Sequence, residues 1–136
     1  MITAVDTNVL IDVFGNDQNF AEKSIVALEQ SIQQGRIVAC EIVWAETCAM
    51  FPHLKQFVQI MQTLGVEFSA LDESSAQCTG DAWRQYRKNG GKRTRMVADF
   101  MIGAHALEQC DRLLTRDRGF YRNYFSKLKI IDSSSQ

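Results

Sequence analysis

The chain has 136 residues, 46% of them hydrophobic and 23% charged, with 15 Lys and Arg against 16 Asp and Glu and a formal net charge of −1. That length supports one domain around one core, expected over residues 1–132 with a frayed tail at 133–136. No apolar run approaches the ~20 residues of a membrane span, and MITAVDTN has neither the basic region nor the small-residue cleavage site of a signal peptide, so the expected location is the cytoplasm.

The predicted elements alternate. Ile2 to Val5 reads as a buried first strand ending at Asp6, and Asn8 to Phe14 as a helix closed by Gly15. Ala21, Ile25, Leu28 and Ile32 recur at steps of four, three and four, the inner face of a second helix stopped by Gly35. Ile37 to Cys40 is a strand, 41–51 a helix, and Leu54 to Leu64 another helix before Gly65. Val66 to Ala70 forms the third strand. Asp72 then caps a helix reaching Lys88, with Trp83 and Tyr86 turned inward.

Gly90-Gly91 marks a flexible loop. Val97 to Cys110 is apolar nearly all round, the mark of a buried helix. Arg112 to Thr115 reads as a fourth strand, Gly119 to Phe125 as a short helix, and Leu128 to Ile131 as the last strand. Short apolar strands alternating with helices imply an α/β fold, a mostly parallel sheet covered on both faces. Ligands of such sheets bind beyond the carboxyl ends of the strands, near the switch in strand order.

Four carboxylates stand at such positions or on apolar helices: Asp6, Glu46, Asp99 and Asp117. Each has a bland alternative. Asp6 and Asp117 follow strands, where capping and turn roles are common. Asp99 lies in a first helical turn and complements the helix dipole. Glu46 shares a helix face with Ile42, Ala45, Ala49 and Met50 and is expected to point inward, with a salt bridge as the rival reading.

Together they argue for a cation. Carboxylates held within ~4–6 Å raise one another's pKa, and hard oxygen donors select Mg²⁺, with Mn²⁺ able to substitute. Such an ion would hold a phosphate oxygen and acidify an attacking water. Two ions would balance four carboxylates, whereas one would leave negative charge.

Charge distribution adds a second argument. Residues 1–83 hold eleven acids and three bases, while 84–136 hold five acids and twelve bases. The bases crowd Asp99 and Asp117, an acidic pocket with a basic rim suited to a polyanion backbone. Arg93, Arg95, Arg116 and Arg118, with Asn8, are the expected substrate contacts. Cys40, Cys48, Cys78 and Cys110 form no CxxC pair and read as buried, reduced thiols. His105, six residues beyond Asp99, reads as a hydrogen-bonded core residue, and Trp44, Met50, Phe57 and Met61 as either core or a contact patch.

DTNVLID after the first strand, VWAET, ADFMIGAHA and LLTRDRGFY resemble, in order and spacing, the PIN domain, and most of all the VapC-type toxins of prokaryotic toxin–antitoxin pairs. The resemblance spans Ile2 to Asp132. It implies a three-layer α/β/α sandwich and a Mg²⁺-dependent endoribonuclease with Asp6, Glu46, Asp99 and Asp117 as its metal site. Thr115 and Thr7 or Asn8 would supply supporting hydrogen bonds. It also implies a homodimer and a VapB-like antitoxin partner.

Two rivals stand beside it. A phosphatase using Asp6 as nucleophile would want a second Asp two residues on, where this chain has Asn8. A PIN-like module that only binds RNA or protein would not need the acids at all.

Overall fold

The computed structural model describes residues 1–92 and 95–134. Five strands, β1 (Ile2–Val5), β2 (Arg36–Ala39), β3 (Val66–Phe68), β4 (Arg112–Thr115) and β5 (Ile130–Asp132), form one sheet in the order β3-β2-β1-β4-β5. Every pair is parallel, in register Thr3 to Ile37 and Arg112, Ile37 to Val66, and Leu113 to Ile130. Parallel neighbours need long crossovers, and seven helices supply them. These are α1 (Thr7–Phe14), α2 (Ala21–Gln34), α3 (Glu41–Cys48), α4 (Leu54–Leu64), α5 (Glu73–Lys88), α6 (Val97–Gln109) and α7 (Arg118–Tyr124).

The chain runs outward from β1 to β3, then jumps back across β1 to β4. With right-handed connections this order sets α1–α4 on one face and α5–α7 on the other, the expected α/β/α sandwich. The reversal lies between β1 and β4, so a crevice opens at their carboxyl ends. The central strands are buried along nearly their whole length, as sheets covered on both faces require, while β3 and β5 are edge strands with partly exposed residues.

Most predicted elements are found within one or two residues. The third strand is shorter than expected and ends at Phe68, and the last begins at Ile130, with Leu128 buried just before it. The helix expected over 41–51 ends at Cys48.

One face was misassigned. On α2 the buried residues are Ala21, Ser24, Ala27, Leu28 and Ser31, whereas Ile25 and Ile32 are exposed. Small side chains let α2 lie close to α1, and Ser24 Oγ donates to the buried Asp12 carboxylate at 3.1 Å. A polar requirement therefore set the helix's rotation against its apolar pattern.

Beneath the second face lies an aromatic cluster. Phe100 of α6 meets Trp83, Tyr86, Phe120 and Tyr124 at ring separations of 5.1–5.5 Å. Gly103 lets Phe125 press against α6, for a Cβ there would stand 2.4 Å from its ring. The 89–92 turn is similarly built. Gly90 takes φ +74°, Gly91 packs where a Cβ would meet Tyr86, and the Tyr86 hydroxyl donates to the Lys92 carbonyl. His105 is buried and bonded through Nε2 to Ser69 Oγ at 3.0 Å, and burial lowers its pKa. Of the apolar residues with two readings, Phe57 and Met61 are core, Trp44 is half-buried, and Met50 is exposed.

Candidate active site

At the β1/β4 crevice Asp6, Glu46, Asp99 and Asp117 line one cavity of about 240 Å³, together with Thr7, Asn8, Arg95 and Tyr121. Each acid arrives differently. Asp6 extends β1 by one residue, its N–H donating to the Leu114 carbonyl at 2.9 Å, and then starts α1. Its Oδ1 accepts the Thr7 N–H at 2.8 Å, so Asp6 is a helix cap after all. Its Oδ2 accepts Thr115 Oγ1 at 2.7 Å, Tyr121 Oη at 3.0 Å and Asn8 Nδ2 at 3.3 Å. Cap and site are the same side chain.

Burial pushes the Asp6 carboxyl up to about 6, against the lowering effect of Thr115, Tyr121 and Thr7, with nearby Asp117 adding to the rise. Tyr121 was not foreseen from the sequence. Burial, and then the Asp6 charge, hold its phenol well above the ordinary value, so it remains a donor. Its spacing of one helical turn after Asp117 was the available signal.

Glu46 is not the buried glutamate expected. It is exposed, as are Ala45, Ala49 and Met50, while Val43 and Thr47 carry the core face of α3. Of this stripe only Glu46 lines the cavity. There Glu46 Oε1 accepts Thr7 Oγ1 at 2.8 Å.

Asp99 is half-buried and accepts the Met96 N–H at 3.2 Å, tying down the start of α6. Asp117 follows β4, its N–H donating to Thr115 Oγ1 at 2.9 Å. Thr115 thereby joins two of the acids in one hydrogen-bonded chain. Asn8 adds to it, donating weakly to Thr115 Oγ1 at 3.4 Å and accepting the Arg116 N–H at 3.2 Å.

The arginines divide. Arg95 enters the cavity, donates to Asp117 Oδ2 at 2.7 Å, and stacks over Phe120 at 4.3 Å. Arg116, expected on the rim, is instead clasped by buried Asp12 through two bonds of 2.7 and 3.0 Å and lies over Phe20. Arg118 stands 3.8 Å from Asp132. Arg93 lies outside the described residues.

Four carboxylates with no thiolate or imidazole among them fit a hard divalent cation in kind. Among the described residues no three acidic, histidine or cysteine side chains are yet gathered as ligands. Arg95 supplies the positive charge in this arrangement.

A PIN domain family model matches residues 3–126. No curated protein matches the chain. Among solved structures, a chain of VapBC-1 from nontypeable Haemophilus influenzae is similar at TM-score 0.75 and 21% identity, covering 99% of this chain and 100% of that one. VapBC2 from Rickettsia felis, bound to a promoter DNA fragment, gives 0.74 and 18%, covering 97% and 98%. FitAcB from Neisseria gonorrhoeae gives 0.69 and 22% over 100% of both chains. With a family match running over nearly its whole length, the chain belongs to the PIN domain family.

Proposed function

We propose that this chain is a Mg²⁺-dependent endoribonuclease, the toxin of a VapBC-type toxin–antitoxin pair. The observation that carries the reading is the convergence of Asp6, Glu46, Asp99 and Asp117 on one cavity at the sheet's switch point. A divalent ion held there supplies charge neutralisation at the scissile phosphate and acidifies an attacking water.

The chain's own groups do the rest. Thr115, Tyr121 and Asn8 hold the Asp6 carboxylate through Oδ2, and Thr7 orients Glu46. These bonds set the orientation of two of the acids before an ion arrives. Arg95 is the adaptable member: a planar guanidinium paired with one carboxylate can exchange it for a phosphate oxygen as RNA arrives. Its departure frees Asp117 to join Asp6.

The partners in this reading are an RNA backbone, a second copy of the chain and a VapB-like antitoxin. Support for the antitoxin comes from solved VapBC assemblies of similar fold. Cytoplasmic residence accords with four free cysteines, and no helix among the described residues is long and apolar enough to cross a membrane.

The test combines binding and turnover on the full chain. Mg²⁺ should raise the melting temperature, by about 3 kcal/mol of stability at a hundred times its Kd, and should switch on RNA cleavage that EDTA abolishes. Asp6→Asn should remove both effects. Unchanged RNA-linked activity in Asp6→Asn would favour the binding-module rival instead.

A further inference from the structure

Beside the acid cavity, and sharing Arg95 with it as a lining residue, lies a second hollow of about 380 Å³ that the nuclease reading does not use. Trp83, Tyr86, Arg87, Lys92, Arg95 and Met96 line it. We propose that it is a nucleobase pocket, which seats an unpaired base of single-stranded RNA next to the phosphate held at the acids. This proposal rests on the nuclease reading and names its substrate class.

The wall is built, not incidental. Trp83 is half-buried, braced edge-on by Phe100 at 5.3 Å and stacked on Tyr86 at 5.7 Å and 22°. These contacts fix its plane while leaving it bordering the hollow. A rigid indole is a stacking platform for any base, since every base has a π-face. Tyr86 backs the indole and anchors the turn at the hollow's edge: its hydroxyl holds the Lys92 carbonyl, and Gly91 is the residue that lets the turn lie against its ring. Met96, 66% exposed, offers an adaptable apolar edge.

Charge continues the same surface. A neighbouring hollow of about 370 Å³ is lined by Trp83, Arg84, Arg87 and Lys88, so cations of α5 flank the indole where a sugar–phosphate chain would run. Aromatic plane plus basic track is the arrangement by which single strands are held. A duplex cannot use it, because its bases are stacked inside; single-stranded loops can splay one out. A purely apolar peptide would find the basic track unmatched.

The experiment uses the full chain carrying Trp44→Phe, which leaves Trp83 as its one tryptophan. Binding of 5′-labelled oligoadenylate is followed in EDTA by the anisotropy of its label, which reads every variant, and by quenching of the Trp83 fluorescence. The expected results are a quenched Trp83 and an affinity reduced about five- to 150-fold by Trp83→Ala, the range of one base–aromatic stack. An abasic oligomer leaves the fold untouched; it should bind the Trp83 chain as weakly as oligoadenylate binds Trp83→Ala, without quenching. RNA that fails to bind, binds without quenching, or binds equally well when abasic overturns the pocket. So does quenching by a VapB-like tail peptide alone. Quenching without cleavage in Mg²⁺ would retain the pocket and retire the nuclease, whereas cleavage with an unquenched Trp83 would do the reverse.

Discussion

Two acid–arginine pairs stand on either side of Asn8, and they do opposite work. Asp12 and Arg116 form a two-bond clasp with the carboxylate 2% exposed, reinforced by Ser24 and covered by Phe20. Asp117 and Arg95 share one bond, each side chain 35% exposed, in a cavity with three other acids. Desolvation and second bonds make the first pair a fixture, because removing one partner strands a charge. Solvent and competing acids make the second exchangeable. The sequence shows only arginines among acids; burial decides which pair is locked and which stays open to solvent.

Breaking the fixture should have the largest effect on stability. Asp12→Ala should cost about 3 kcal/mol or more in urea denaturation, whereas Asp117→Asn in EDTA should change stability by less than about 1 kcal/mol. Equal losses would erase the contrast. On turnover the order reverses. Asp6→Asn and Asp117→Asn should lower kcat/KM for RNA in Mg²⁺ by at least about 100-fold, since even outer partners of metal sites are worth about 10- to 100-fold.

Acidity sharpens the comparison further. The Asp6 carboxyl is raised from 3.8 to about 6 by burial, so the folded chain binds the proton more tightly than the unfolded one. Metal-free stability should therefore rise as pH falls from 7 to 5, with Asp6 contributing about 1 kcal/mol. Melts in EDTA should show a shallower pH slope for Asp6→Asn; parallel slopes would discard the assignment. The smallest effect belongs to Arg95→Gln. It should destabilise the metal-free chain by no more than about 1 kcal/mol, and Mg²⁺ should restore most of that difference in a thermal melt.

The alternation of elements was legible because strand and helix periods are local. Buried parallel strands read as apolar runs, and Gly15, Gly35 and Gly65 all stand next to helix ends. Asp6 and Asp117 were legible because strand ends are where α/β sheets expose chemistry. Less so were Glu46 and α2. An apolar stripe marks a face without saying whether core or cavity lies against it, and Ser24's bond to Asp12 comes from another helix. Tyr121 escaped because its function depends on meeting Asp6, 115 residues away.

The sequence by itself determined the α/β class, the order of elements and the four acids, since propensity, periodicity and strand-end position are properties of neighbouring residues. Tertiary structure alone decided which cations serve them. Arg95 and Arg116 have similar sequence surroundings, yet one lies against Asp117 in an open cavity and the other under Phe20 against Asp12. Desolvation is set by what the rest of the chain packs around a charge, and no local pattern records it.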